Sequence, residues 1–150
     1  MSIKYVHTNI ISKNWEKLAN FYQTVFECKP VPPARDQSGK WLDKGTGLNN
    51  AHLKGMHLRL PGYGDNGPTL EIYQYNEMEE KPSKIAANRQ GFGHIAFLVA
   101  DVNLMYNKVL ENGGSVLGEI TKKEVEGVGL LTFVYMCDPE NNIIELQNWS

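Results

Sequence analysis

The apolar and polar positions of the chain trace one series of elements twice. In the first half, β-branched and apolar residues at 3–11 predict a strand, which is followed by a helix-capping segment at 12–14. Apolar residues then recur at spacings of three and four within residues 15–27, which predicts an amphipathic helix. Residues 56–60 and 69–75 predict two strands joined by a turn rich in glycine and proline. The first half therefore follows a β-α-β-β order.

The series begins again at residue 92. Residues 92–101 predict a strand, Asp101 is a good N-cap for a helix, and Gly113 with Gly114 supplies the end of that helix. Three more strands are predicted at residues 118–121, 130–137 and 142–149.

Two βαβββ modules explain this repetition, one at about residues 3–76 and the other at about 92–149. Each module alone leaves an open sheet, and two copies packed edge to edge would bury it. Residues 29–50, which contain three prolines and three glycines, predict a long ordered loop rather than a regular element. We therefore predict an α+β fold in which a single domain, residues 1–150, contains both modules.

Composition and charge narrow the classes of function. The 15 basic and 17 acidic residues give a formal net charge of −2, and the basic residues are scattered, so a nucleic-acid partner is not expected. Cys28 and Cys137 lack the close spacing of a zinc ribbon or a redox motif, and we expect two reduced thiols. The N-terminus lacks an apolar signal region, and no run approaches about 18 apolar residues. We therefore expect a cytoplasmic protein with no membrane partner.

Four residues could hold a metal ion. Side chains alternate across a strand, so His7 shares a face with polar neighbours, while Glu71 and Glu145 each interrupt a hydrophobic strand. His94 begins the apolar segment HIAFLV, so each module supplies one histidine and one glutamate in the same order. An ionised carboxylate facing a sheet interior is costly unless it is paired or bound to a cation. Two imidazoles with two carboxylates suit Zn, Ni, Co, Mn or Fe.

Each of these residues also has an ordinary structural interpretation. A single histidine on a strand is usually half-exposed or hydrogen-bonded, and a single glutamate on a strand usually faces solvent. His57 shows the difficulty, because it also lies on a predicted strand and could line a pocket or have no role. We leave His52 and His57 out of the predicted metal set, and spacing alone does not decide between the two interpretations.

Beyond this pattern, several segments resemble the vicinal oxygen chelate superfamily, above all glyoxalase I (lactoylglutathione lyase) and, less closely, methylmalonyl-CoA epimerase. The segments are VHTNII with the helix after it, PTLEIYQYN, GFGHIAFLVADV and FVYMCDPENNIIELQNW. The resemblance implies the fold of glyoxalases, bleomycin resistance proteins and dihydroxybiphenyl dioxygenases, a half-open curled sheet around one divalent metal ion. It implies that the ligands are His7, Glu71, His94 and Glu145. It also implies a small-molecule substrate and a homodimer in which each site draws ligands from both chains.

The resemblance further implies a reaction. In this family the metal polarises a carbonyl and its neighbouring oxygen, an enediolate is stabilised, and a carboxylate moves the proton. Glu145 is the first choice for the base, with Glu71 as its partner. Bacterial glyoxalase I has an arginine for a glutathione carboxylate where this chain has Ile11, and an asparagine where it has Tyr75. We therefore expect a lyase or isomerase of the glyoxalase I type with weak or no activity toward the glutathione adduct.

Three other functions fit parts of the sequence. A drug-binding protein of the bleomycin-resistance kind would use the same fold without a metal, with a groove lined by Tyr5, Tyr73, Tyr75 and Trp149. Extradiol ring-cleaving dioxygenases and antibiotic-modifying transferases of the superfamily use two histidines and one carboxylate. The four ligand-type residues favour the metal-dependent lyase or isomerase over these alternatives.

Overall fold

A computed structural model describes residues 2–150, which form two compact units that meet in sequence at Lys81 and Pro82. The first unit contains β1 (His7–Ile11), α1 (Trp15–Phe26), β2 (Lys29–Ser38), α2 (Lys40–Thr46), β3 (His52–Arg59) and β4 (Thr69–Tyr75). The second contains β5 (Ile95–Leu98), α3 (Val102–Glu111), β6 (Ser115–Val116), β7 (Thr121–Val125), β8 (Gly129–Cys137) and β9 (Ile143–Trp149). Each unit has its own sheet, which confirms the predicted α+β class. None of the described helices has the length and apolar character needed to cross a membrane.

The first unit is a four-stranded sheet against which α1 packs. Its strand order is β1-β4-β3-β2, with β1 parallel to β4 and the other neighbours antiparallel. The helix begins where the Asn14 side chain accepts a hydrogen bond from the Lys17 backbone N–H at 3.2 Å. Of the apolar face that its periodicity predicts, α1 buries Leu18, Phe21, Tyr22, Val25 and Phe26; Trp15 is only partly buried, and Ala19 is buried in addition. Each large apolar side chain buried there contributes about 1.5–3 kcal/mol, so this face holds the helix on β3 and β4.

The second unit repeats this plan around a sheet of order β5-β9-β8-β6, with β7 also paired to β8. The predicted cap is confirmed, because Asp101 accepts a hydrogen bond from the Leu104 backbone N–H at 3.0 Å. At the turn between β8 and β9, the buried Asp138 carboxylate accepts hydrogen bonds from the backbone N–H groups of Glu140 at 2.8 Å and Asn142 at 3.0 Å. This turn fixes the register of β9 against β8 and therefore the position of Glu145.

The loop expected at residues 29–50 is wrong, because this segment forms β2 and α2. Its prolines argued against a strand, but β2 lies at the edge of the sheet and pairs with β3 alone, so missing N–H groups are tolerated. The register shifts between Val31 and Arg35, and the irregularity absorbs the prolines between them. With β2 in place, the first module has the βαβββ order, interrupted by the short α2.

Several strand limits also differ from the prediction. β1 begins at His7 rather than at residue 3, and β3 begins at His52 rather than at residue 56. The strand predicted at residues 118–121 is misplaced, since residues 118–120 lie between β6 and β7. The sequence of β7, TKKEV, is mostly exposed and has no apolar alternation that could reveal it. His94 lies just before β5 and not on a strand.

Candidate metal centre

Glu71 is the centre of the site in the first unit. It lies in the middle of β4 between the fully buried Leu70 and Ile72, and only 7% of its own surface is exposed. The register places it directly opposite Asn9 on β1 and opposite His57 on β3. The Asn9 side chain donates a hydrogen bond from Nδ2 to Glu71 Oε1 at 2.9 Å. A buried carboxylate is therefore held in place from a neighbouring strand.

Two imidazoles approach the same carboxylate. His57 Nε2 lies 2.9 Å from Glu71 Oε2, and His7 Nε2 lies 3.5 Å from Glu71 Oε1. The two rings meet edge to face, with their centroids 5.9 Å apart. One potential ligand atom from each of His7, His57 and Glu71 lies within 4.8 Å of the other two. We call these three residues the His7–His57–Glu71 cluster.

The surroundings keep this cluster suited to binding a cation. Burial lowers the pKa of His57, Glu71 opposes that shift, and the positive charges of Arg35 and Arg59 add to it. A histidine with a lowered pKa stays neutral and keeps a nitrogen lone pair for a metal. Burial, followed by the charge of Glu71, raises the pKa of Tyr73. The Tyr73 hydroxyl lies 2.8 Å from His57 Nε2 and stays protonated at neutral pH.

The donor atoms of the His7–His57–Glu71 cluster are of the kinds that bind a divalent metal ion. Two imidazole nitrogens and one carboxylate are a common protein ligand set for Zn, Mn, Fe, Co and Ni, with positions left for water or substrate. The side chains of His57 and Glu71 are 18% and 10% exposed, so they are largely desolvated, while His7 at 39% leaves one side open. The cluster can therefore hold a metal and still admit a ligand.

The second unit carries a smaller pair of donors. His94 Nε2 lies 3.2 Å from Glu145 Oε2, and their side chains are 29% and 13% exposed. Glu145 lies opposite Ala96 on β5 and opposite Tyr135 on β8. The ring of Tyr135 packs against that of His94, with centroids 4.6 Å apart. This pair offers one nitrogen and one carboxylate.

Comparison with known proteins agrees with the resemblance seen in the sequence. The family model of the Glyoxalase/Bleomycin resistance protein/Dioxygenase superfamily matches residues 4–146. The chain belongs to this superfamily. No curated protein sequence matches the chain significantly.

Solved structures of other superfamily members share the fold. A glyoxalase family protein from Bacillus cereus is 17% identical with a TM-score of 0.75, over 98% of this chain and 93% of its own. An integron cassette protein from the mobile metagenome of V. cholerae is 20% identical with a TM-score of 0.56, over 100% and 98%. A variant of the fosfomycin resistance protein FosX from Listeria monocytogenes, complexed with Mn(II) and 1S,2S-dihydroxypropylphosphonic acid, is 19% identical with a TM-score of 0.52, over 97% and 92%.

Within this superfamily fold, each predicted histidine meets a predicted glutamate in its own unit. His7 lies near Glu71, and His94 lies near Glu145. The residue that the sequence does not predict is His57, because its place on a predicted strand fits a pocket residue as well as a residue with no role. Pairing β3 with β4 as a hairpin across residues 60–68 would have placed His57 opposite Glu71. The four-residue ligand set and the roles of Glu71 and Glu145 in catalysis stay predictions.

Proposed function

We propose that this chain is a metal-dependent lyase or isomerase of the glyoxalase I (lactoylglutathione lyase) type, which shifts a proton on a carbon next to a carbonyl. The observation that supports this most is the environment of Glu71. A buried carboxylate lies within 3.5 Å of two imidazole nitrogens in a member of a superfamily that contains the glyoxalases. Burial of a carboxylate in such a place is costly without a cation, and a divalent ion would offset that cost.

The proposed ligands are His7, Glu71, His94 and Glu145, with His57 as an additional donor beside Glu71. When bound, the ion would supply a Lewis acid that stabilises negative charge on a substrate oxygen. Zn, Ni, Co, Mn and Fe all suit nitrogen and carboxylate ligands. Hydroxy-ketones, hemithioacetals and acyl thioesters are the substrate classes to test, because each has an acidic proton next to a carbonyl or its equivalent.

The two glutamates suit different tasks in this proposal. Glu71 is held by His7, His57 and Asn9, so its carboxylate is fixed. Glu145 contacts a single imidazole, His94, whose ring packs against Tyr135. A general base must leave its resting contacts to accept and return a proton. Glu145 is therefore the proposed acid/base, and Glu71 is the ligand that assists it.

The experiment measures exchange of the substrate α-proton with deuterated solvent. Protein purified without chelator or affinity tag is loaded separately with Ni, Co, Zn, Mn and Fe, and metal content is measured alongside exchange. We expect exchange to require metal and to disappear in Glu145→Gln while the metal stays bound. Glu126→Gln, which changes an exposed glutamate in the same unit, is the matched control. Equal exchange in Glu145→Gln would remove Glu145 from the role. A protein that binds no metal and exchanges no substrate would instead support a binding module of the bleomycin-resistance kind.

The proposal includes a homodimer, which the family resemblance supports. Light scattering at micromolar concentration should give a mass of twice the 16.9 kDa of one chain. A monomer that still binds metal would show that a second chain is not needed for the site.

A further inference from the structure

The arginines of this chain are unevenly distributed. Among 15 basic residues only three are arginines, and two of them, Arg35 and Arg59, lie on the strands that flank the His7–His57–Glu71 cluster. Arg59 follows His57 by two positions on β3, so both side chains project from the same face. Arg35 on β2 lies opposite Gly55, which precedes His57 by two positions. The register therefore places Arg35, Gly55 and Tyr73 side by side across three strands, on the face that carries His57 and Glu71.

Neither arginine is used to neutralise a carboxylate. Both are partly buried, yet among residues 2–150 neither forms an ion pair with an aspartate or a glutamate. Arg59 donates from Nη1 to the Gly67 carbonyl at 2.5 Å, and Arg35 donates from Nη1 to the Pro33 carbonyl. These bonds occupy one of the five N–H donors of each guanidinium and fix its position. Partly buried arginines with unused donors are typical of sites that recognise carboxylate or phosphate.

A cavity of about 280 Å³ connects this charge to the cluster. Its wall includes Arg59 and Lys4 as cations, His57 from the cluster, and the side chains of Tyr5 and Asn66 as hydrogen-bonding groups. Arg59 also lines a second groove, which contains Lys29 and two carboxylates, Glu27 and Asp65. With Glu71 as the carboxylate of the cluster and two guanidiniums beside it, the net field on this face attracts anions.

We infer that Arg59 and Arg35 bind an anionic group of the substrate, carboxylate or phosphate, beside the His7–His57–Glu71 cluster. Two residues along a strand span about 7 Å, which sets the distance between Arg59 and His57 on the backbone. The inferred substrate is a hydroxy-carbonyl compound that carries an acidic group. The substrate class in this inference rests on the proposed function, whereas the binding of an anion by Arg59 and Arg35 does not.

The first experiment measures anion binding directly. Inorganic phosphate and succinate are titrated into metal-loaded and metal-free protein by calorimetry, with Arg59→Gln, Arg35→Gln and Arg89→Gln as variants. Arg89, the third arginine, is exposed and belongs to the second unit, so it is the matched control. We expect Arg59→Gln to weaken binding by about 10-fold or more, since a hydrogen bond to a charged group contributes enough for that factor. Arg35→Gln should have a smaller effect in the same direction, and Arg89→Gln none. Failure of wild-type protein to bind either anion, or equal binding in all variants, would overturn the inference.

The second experiment separates failure of the anion site from failure of the proposed function. Deuterium exchange is compared for dihydroxyacetone and dihydroxyacetone phosphate, and for 1-hydroxybutan-2-one and 5-hydroxy-4-oxopentanoate. We expect the anionic member of each pair to exchange faster than the neutral member, and we expect Arg59→Gln to remove this difference. The pair with the larger difference identifies the anion as phosphate or carboxylate. Equal exchange of neutral and anionic members would contradict the anion site without contradicting the proposed function. No exchange with any compound, while phosphate binding still depends on Arg59, would contradict the proposed function without contradicting the anion site.

Discussion

The two modules place different chemistry at matching positions of one sheet plan. In the first, Glu71 lies opposite Asn9, and His7 stands two residues before that asparagine. In the second, Glu145 lies opposite Ala96, and His94 stands two residues before that alanine. The strand on the other side contributes His57 in the first module and Tyr135 in the second. The modules thus share the His–Glu pair and differ in the third residue, which concentrates the metal donors in the first.

This comparison teaches that the ladder register, rather than the local sequence, determines which residues meet. The same His–Glu arrangement is built from segments with different lengths between the two residues, 64 positions in one module and 51 in the other. Parallel pairing of the first and last strands brings each pair together despite that difference. The residue opposite the glutamate on the neighbouring antiparallel strand differs between the modules. It is His57 in the first and Tyr135 in the second, so the first module has three potential donors and the second has two.

The largest effect should come from removing the fixed carboxylate. Glu71→Gln keeps the shape of the side chain but removes the charge between two imidazoles, so metal affinity should fall by more than about 100-fold, since even indirect partners of ligands cost about 10–100-fold. Glu145→Gln should cost less, because its module supplies fewer donors. Competition with a chromogenic chelator measures both. Equal losses would show that the two modules contribute equally to the metal.

Exchanging the third residue tests the difference between the modules itself. His57→Tyr gives the first module the residue of the second and should weaken metal binding by about 10–100-fold. Tyr135→His gives the second module three donors and should strengthen binding. His52→Gln, on the same strand as His57 but outside the cluster, is the control. Unchanged affinity in His57→Tyr would mean that His57 neither binds the metal nor orients Glu71 for it.

A third difference concerns space beneath the cluster. Gly55 lies opposite Tyr73, whereas the matching position of the second module is Phe133 opposite Gln147. A Cβ on Gly55 would lie 2.0 Å from the Ile72 carbonyl oxygen and 2.6 Å from Tyr73 Cδ1. Gly55→Ala should therefore destabilise the protein by about 1–3 kcal/mol in urea unfolding. Gly45→Ala in α2 meets nothing within 4 Å and should be neutral or stabilising. A Gly55→Ala protein as stable as wild type would show that both the Ile72 backbone and the Tyr73 ring can shift at little cost.

The smallest expected effects lie where the modules are most alike, at their helix caps. Asn14 and Asp101 each accept a hydrogen bond from the backbone N–H three residues later. Asn14→Ala and Asp101→Ala should each lower the free energy of unfolding by about 1 kcal/mol. Thermal unfolding of the two variants, with Asn14→Ser and Asp101→Ser as conservative replacements, checks this. A loss confined to one variant would indicate that the two helices contribute unequally to cooperative unfolding.

Sequence reasoning located most elements because helix periodicity and caps are local properties. The spacing of Leu18, Tyr22 and Val25 and the cap at Asp101 needed no knowledge of distant residues. Strand β2 was missed because its tolerance of proline depends on being at an edge, which only the complete sheet defines. His57 was missed for a similar reason, since its contact with Glu71 depends on the register of a hairpin with a long loop. Pairs of donors could be predicted from the family resemblance, but the third donor could not.

The prolines of β2 also bear on how this sheet behaves among other copies of itself. An edge strand with a row of available N–H and C=O groups is a template on which further strands can grow into fibrils. Pro30, Pro32 and Pro33 have no N–H groups, so half of the six residues of the strand before Arg35 offer no donor to such a ladder. The prolines that make β2 hard to recognise in the sequence therefore also hinder the addition of strands from other copies of the protein at this edge, even at high concentration.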